Sequence, residues 1–357
     1  MKKTGKADGK SFNPKSILIT GGAGFIGSNV LRYLWNKYPK THFHVVDTLT
    51  YAGDLRNIDI SIRESSRFTF WYENITNIKM MEEIFSLCDY VVHFAAETHV
   101  ARSIADDIRF IETDMLGTEV LLQSLLKNKD KIKRFIHIST SEVYGTAETP
   151  GMSEEHPLNP RSPYAAAKAG ADRLVYSYIA TYSIPAVIVR PFNLFGPNQH
   201  PEKVIPRFIT SLLQGEPMTI HGGGESYRDF THTSDAANAI DMLLQAPSKI
   251  VDGEVFNIGS ERTVSVNEIA SLLCKKMNIA SPAKYIKKVG DRLGQVEKHI
   301  SDTNKIRKAI GWKPKVSFEE GLDMVIEWYR NNPEWWTPKL FMKQVKVLSS
   351  KGKLELQ

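Results

Sequence analysis

Cysteine is nearly missing from this chain: Cys88 and Cys274 are the two thiols in 357 residues, each inside an apolar stretch and neither in a CxxC pair. That excludes a disulfide framework and a thiolate zinc site, and buried thiols in a reducing cytosol are expected. Apolar runs approaching the ~18 residues of a membrane helix are absent, and the amino terminus has no hydrophobic signal core. Internal repeats and low-complexity tracts are absent as well. These gaps point to a soluble, cytoplasmic protein with no membrane partner. Net charge is +6, yet Met1 to Lys15 alone holds five lysines against one acid, and Lys339 to Lys353 is again lysine-rich. A nucleic-acid binder needs basic residues clustered on a folded surface beside stacking aromatics. Lysine-rich tails do not supply that, and no nucleic-acid partner is expected.

What is present is ordinary globular composition, 42% hydrophobic and 24% charged, over a length that suits a large α/β unit with a smaller lobe. The apolar run Ser16-Ile-Leu-Ile-Thr20 leads straight into Gly21-Gly-Ala-Gly-Phe-Ile-Gly27 and a predicted helix from Ser28 to Tyr38. Gly21, Gly24 and Gly27 stand where a tight turn, a pyrophosphate and a helix–strand contact each need a missing side chain. Phe25 and Ile26, between them, complete the expected phosphate-binding turn. A second strand from Phe43 ends in Asp47, 20 residues past Gly27. A carboxylate there accepts hydrogen bonds from an adenosine ribose and repels a 2′-phosphate, which favours NAD over NADP.

Further strands are expected at Phe68–Tyr72, Tyr90–Phe94, Arg134–Ile138 and Pro185–Arg190, with helices between them. One helix is expected over Asp106–Asn128, on a mixed three-and-four spacing of Ile108, Ile111, Met115, Leu122 and Leu126. This alternation predicts an α/β, doubly wound, mostly parallel Rossmann sheet. Ala95 and Ala96 follow a strand, where small residues let a flat cofactor lie against backbone. Ser139-Thr-Ser-Glu142 follows another, at the carboxyl end where such sheets place ligands. Past Pro191 the pattern loosens into short strands and helices, with capping boxes expected at Ser265–Glu268 and Ser317–Glu320. The division read from this is a disordered basic leader over 1–15 and a Rossmann domain over 16–190, rejoined by about 227–260. A substrate-binding lobe takes 191–226 and 261–340, and a tail 341–357. His42 and His44 alternate along one strand, but no metal is expected.

Tyr164-Ala-Ala-Ala-Lys168 puts a phenol and an ammonium four residues apart on one helical face. The ammonium favours phenolate and lowers a pKa that starts near ~10. Such a phenolate can take a proton from a sugar hydroxyl while hydride leaves the same carbon.

From about Lys15 to Trp336 these residues resemble the extended short-chain dehydrogenase/reductase family, specifically its nucleotide-sugar 4,6-dehydratases of the dTDP-glucose 4,6-dehydratase type. The most specific pieces are Val46-Asp-Thr-Leu-Thr-Tyr-Ala-Gly53, His93-Phe-Ala-Ala-Glu-Thr-His-Val-Ala-Arg-Ser103 and Phe110-Ile-Glu-Thr-Asp114. Pro201-Glu-Lys-Val-Ile-Pro206, the Arg228-Asp-Phe run and Gly311-Trp-Lys-Pro314 add to them. The resemblance implies a bound NAD, with Thr50, Asn74, Ile75, Thr98 and Thr113 joining the cofactor contacts. Asn74 stands where the family usually has an Asp contacting adenine. It also implies a nucleoside diphosphate hexose, with UDP-N-acetylglucosamine, UDP-glucose and dTDP-glucose all open, and a homodimer through the Asp106–Asn128 and Tyr164–Thr181 helices.

In the implied mechanism Tyr164, supported by Lys168, deprotonates the C4 hydroxyl, which Thr140 holds. Glu142 then removes the C5 proton that the 4-keto group has made acidic. Water leaves across C5 and C6, and hydride returns to C6. Asn193, Lys203, Val204, Arg207, Arg228 and Arg292, with Thr98, are the expected substrate contacts. One departure matters. The dTDP-glucose enzymes resemble Thr-Asp-Glu where this chain has Thr140-Ser141-Glu142, and that Asp protonates the departing C6 hydroxyl. Either Glu142 serves as base and then acid, or a water relays the proton through Ser141. UDP-glucuronate decarboxylases share the Thr-Ser-Glu arrangement but add an arginine just after Gly-Pro, where this chain reads Gly196-Pro-Asn-Gln-His. A 4-epimerase, the other alternative, needs no Glu142.

Overall fold

Strands β1 (Ser16–Thr20), β2 (His42–Asp47), β3 (Phe68–Tyr72), β4 (Tyr90–His93), β5 (Arg134–Ile138) and β6 (Ala186–Pro191) lie in one parallel sheet. After three short strands of the second lobe, β7 (Asn193–Phe195), β8 (Met218–His221) and β9 (Tyr227–His232), the chain returns. There β10 (Val255–Ile258) becomes the seventh strand of that sheet, in the order β10-β6-β5-β4-β1-β2-β3. The computed structural model describes residues 12–290, 298–344, 346–348 and 354–356. Most of the leader expected over 1–15, part of the 341–357 tail, and Arg292 lie outside these residues.

Alternation explains why the strands read as continuous apolar runs. Ile17 and Ile19 enter the core under the helices Phe25–Lys37 and Thr233–Gln245, while Leu18, between them, enters the core on the other face. That second core is closed by Ile78–Ser86, Gly117–Lys127 and Pro163–Tyr182. A strand buried on both faces has no polar side to show. Strand order reverses between β4 and β1, so the crevice at their carboxyl ends is the place for a ligand.

The helix expected over Asp106–Asn128 differs in two ways. It begins at Ile108 and passes through a wider π turn at Ile111–Leu116 before becoming α-helical at Gly117. Ile108, Ile111 and Leu116 are exposed and Leu122 is buried, so the mixed spacing marks two faces, only one of them turned to the core.

In the second lobe β9 pairs with β7 and with β11 (Thr263–Ser265), and β8 pairs with β12 (Ile286–Val289). The helices Val204–Leu213, Val266–Lys276 and Phe318–Asn331 pack there through Phe208, Leu273, Leu322 and Val325. The Ser317–Glu320 capping box is complete. Ser265 forms half of one: its Oγ accepts from Glu268 N at 3.1 Å, while the Glu268 carboxylate pairs with Arg262 at 3.3 Å. Trp335 ties this lobe to the glycine turn. Its Nε1 donates to Asn57 Oδ1 at 2.8 Å, and Asn57 Nδ2 donates to the Ala23 carbonyl at 2.7 Å.

Candidate active site

The turn after β1 is shaped by close approach. Gly21 sits at φ +67°, and a Cβ on it would lie 2.6 Å from Ala95 N; a Cβ on Gly27 would lie 2.3 Å from the Gly21 carbonyl oxygen. No side chain caps the helix that starts at Phe25, and Gly24, Phe25, Ile26 and Gly27 line a cavity of about 670 Å³. Orphan N–H groups and the positive end of a 13-residue helix face that space, which suits a pyrophosphate. Asp47 braces the turn: Ala23 N donates to Oδ2 at 3.0 Å and Leu49 N to Oδ1 at 2.8 Å. Burial holds the Asp47 carboxyl above its ordinary value, outweighing the opposing pull of those two backbone bonds. The wall beside Asp47 is Thr48, Thr50, Gly53, Glu73, Asn74 and Ile75, and among the described residues no cation stands there to receive a 2′-phosphate. The cleft therefore fits NAD. Ala95, Ala96, Thr98 and Thr113 line it further in.

At the end of β5, Thr140 caps a 3-10 turn over Ser141–Tyr144, its Oγ1 accepting from Glu142 N at 3.2 Å. A buried network holds that turn from behind. Arg190 donates to both Asp172 oxygens at 2.8 and 2.9 Å and to Tyr144 OH at 3.0 Å, and Tyr144 OH donates to Asn257 at 2.7 Å. Thr140, Glu142, Tyr164 and Lys168 all line the cavity. Tyr164 sits in the first turn of a helix capped by Ser162, whose Oγ accepts from Ala165 N at 3.1 Å.

The expected lowering of the Tyr164 pKa is not what this cluster produces. Burial pushes the phenol up, the Asp114 and Glu142 carboxylates add to that, and the hydrogen bond with Thr140 pulls the other way. Lys168 is itself buried, which lowers its pKa against the pull of Asp114 and Asp172, and its Nζ donates to the Ile138 carbonyl at 2.7 Å. Four-residue spacing placed the ammonium on the right face; the apolar, carboxylate-rich surroundings decide the sign.

Asn193, Lys203, Val204 and Arg228 also line the cavity, and Arg228 interacts electrostatically with Glu142. Lys203 precedes the Val204–Leu213 helix rather than lying on it, and its Nζ donates to the Thr98 carbonyl at 3.1 Å. Arg207, one turn on, is buried and does not line the cavity. Ser141 is also absent from the wall; it is buried and faces His299. Several residues of the site went unread in the sequence. Glu202, inside the Pro201-Glu-Lys run and next to the expected substrate contact Lys203, accepts from Tyr51 OH at 3.0 Å. Asp114, whose Oδ1 accepts from Glu97 N at 2.8 Å, lay at the end of a recognised motif. His299 carried no local signal at all.

A family model described as GDP-mannose 4,6 dehydratase matches residues 18–325. The chain is 40% identical over 326 residues to the dTDP-glucose 4,6-dehydratase of Actinoplanes sp., covering 90% of this chain and 99% of that one. It is 38% identical over 331 residues to an Arabidopsis thaliana trifunctional UDP-glucose 4,6-dehydratase/UDP-4-keto-6-deoxy-D-glucose 3,5-epimerase/UDP-4-keto-L-rhamnose-reductase. That match covers 91% of this chain and 48% of the relative, so the chain spans about half the length of the plant protein. Among solved structures, the dTDP-glucose 4,6-dehydratase of Streptomyces venezuelae with NAD bound is similar at a TM-score of 0.85 and 38% identity. The likeness covers 91% of this chain and 99% of that one.

Proposed function

The chain belongs to the GDP-mannose 4,6-dehydratase family of extended short-chain dehydrogenase/reductases, and from that premise we propose that it dehydrates a nucleoside diphosphate hexose to the 4-keto-6-deoxy sugar. Gly21, Gly24 and Gly27, with Asp47 beside them, would hold NAD, which would supply the hydride acceptor for C4 and the hydride donor for C6. The proton work belongs to the chain. Thr140 holds the C4 hydroxyl, Tyr164 takes its proton, and Lys168 keeps positive charge beneath the phenol. Glu142 takes the proton from C5 once the neighbouring ketone has acidified it. Asn193, Lys203 and Val204 hold the sugar and nucleotide, and Arg228 clamps the diphosphate.

One observation carries this reading: Glu142 opens into the same cavity as Thr140, Tyr164 and Lys168. Oxidation at C4 needs the tyrosine and lysine; a carboxylate beside them is placed to take a proton from C5. A 4-epimerase has no such step. A glucuronate decarboxylase would need a cation for the substrate carboxylate, and Asn198, Gln199 and His200 stand where it would be. The hexose is of the glucose series, carried on UDP or dTDP, with UDP-N-acetylglucosamine included.

Purified protein incubated separately with dTDP-glucose, UDP-glucose, UDP-N-acetylglucosamine, GDP-mannose and UDP-glucuronate tests this by product mass. Loss of one water from a hexose, abolished in Glu142→Gln, is expected. Loss of carbon dioxide from the glucuronate, or an altered sugar spectrum without mass change, would contradict it.

The assembly is a homodimer in this reading. Ile108, Ile111 and Leu116 on one helical segment and Tyr176 and Tyr182 on the Pro163–Tyr182 helix are exposed, which supports an interface along both. Two free, buried thiols support a reducing, cytoplasmic setting, and no helix among the described residues is long and apolar enough to cross a membrane.

A further inference from the structure

A dehydration that ends in hydride return needs two protons delivered to the sugar, one to the departing C6 hydroxyl and one to C5. The proton that Glu142 takes from C5 covers one of them. A second acid is required, and a serine hydroxyl at position 141 is too weak to be that acid.

One further titratable side chain lies against both Ser141 and Glu142. His299 reaches them from a distant part of the chain, 158 residues along from Ser141. Its Nδ1 is 3.5 Å from Ser141 Oγ and 3.9 Å from Glu142 Oε1. Its other nitrogen, Nε2, lies 2.6 Å from the Gly145 carbonyl. A carbonyl only accepts, so Nε2 carries hydrogen in every state and Nδ1 is the site that gains and loses a proton. The ring is buried and meets Phe192 edge-on, with centroids 6.2 Å apart, which fixes its orientation. Burial makes the imidazolium a stronger acid than usual; the Glu142 carboxylate and the Gly145 carbonyl oppose this, while Arg228 and His156 add to it.

Resting on the dehydratase reading, we propose that His299 is the positioning residue that recharges Glu142 with the second proton. In the elimination Glu142 takes the C5 proton, the C5–H electron pair becomes the C5–C6 double bond, and the C6–O bond breaks. Glu142 hands that same proton to the departing hydroxyl, which leaves as water, and becomes a carboxylate again. The imidazolium of His299 then gives its Nδ1 proton to Glu142 Oε1, and Glu142 delivers a proton to C5 as hydride reaches C6. His299 regains a proton from solvent between turnovers, balancing the C4 hydroxyl proton that Tyr164 gives up. The Nδ1–Oε1 gap has to close by about 1 Å, the tightening that substrate binding produces in such contacts.

The test begins with the parent enzyme on dTDP-glucose, UDP-glucose and UDP-N-acetylglucosamine. No loss of water from any of them would remove the dehydratase reading and this relay together. On the sugar that the parent dehydrates, His299→Asn is expected to oxidise C4 and lose water in a single turnover. It should return hydride at least ~100-fold more slowly, so that dehydrated sugar and reduced nicotinamide accumulate together. Ser141→Asp in that background adds an acid with its own proton and should restore hydride return. Turnover by His299→Asn within about twofold of the parent overturns the proposal. So does an equal loss of C4 oxidation and hydride return that Ser141→Asp fails to repair, because that is what a merely structural role would produce. Where the variants do not fold, nitrogen NMR of labelled histidine in the parent decides. Nε2 should stay protonated throughout while Nδ1 titrates; a ring protonated on Nδ1 alone, or one that never titrates, contradicts the relay.

Discussion

Lys168 donates from Nζ to the Ile138 carbonyl at 2.7 Å, which anchors its ammonium to the end of β5 while Tyr164, one turn earlier, meets Thr140. Burial raises the Tyr164 pKa, so the phenolate is scarce near neutral pH and grows as pH rises. C4 oxidation, followed as the appearance of reduced nicotinamide in one turnover, should therefore speed up through the alkaline range. Tyr164→Phe and Lys168→Met should each slow it by ~10²–10⁴. A flat pH dependence in the parent would contradict this account of the phenol.

Asp172 and Arg190 are both fully buried, and their paired bonds hold the turn that carries Glu142. Burial alone would raise the Asp172 pKa, but the bonds from Arg190 and Arg173 outweigh it and hold the carboxyl below its ordinary value. A depressed carboxyl contributes stability that is present above its unfolded pKa of about 3.9 and is lost as pH falls through the folded value. Asp172→Leu, which strands a buried guanidinium, should cost about 3–5 kcal/mol, read from denaturant unfolding at neutral pH. The deficit should shrink in acid, where the parent loses the same interaction.

Gly27→Ala forces a Cβ to 2.3 Å from the Gly21 carbonyl oxygen, a backbone atom that cannot turn aside. NAD affinity measured by calorimetry should fall by more than about tenfold, or 1.4 kcal/mol. Unchanged affinity would mean that the turn is looser than its contacts indicate.

The apolar residues exposed on Ile108–Leu116 and Pro163–Tyr182 should be covered by a second copy of the chain. Ile111→Lys is expected to shift the protein from dimer to monomer in light scattering. A parent that is already monomeric at micromolar concentration would contradict the dimer.

Much of the fold is legible because its signals are local. Doubly buried strands read as apolar runs, the glycine turn lies between a strand and a helix, and Tyr164 and Lys168 share one helix. Asp47 can be named from its distance along the chain. What stays hidden depends on distant packing. The direction of the Tyr164 shift is set by Asp114, Glu142 and burial, none of which a four-residue spacing reports. Arg207 belongs to a helix that turns it inward, and its neighbour Lys203 reaches the cavity because it precedes that helix. His299 meets Ser141 only because the fold brings together residues 158 apart in the chain. Ser265 has a capping-box partner in sequence, yet Arg262 draws the glutamate away.

In the proposed dehydration, hydrogen leaves C4 and arrives at C6 of the same sugar. The direct measurement uses the accepted nucleotide sugar with deuterium at C4, with the product read by mass and NMR. Deuterium on the new C6 methyl group, with loss of one water, is the predicted result. Deuterium remaining at C4, or a product that keeps its C6 oxygen, would contradict the account.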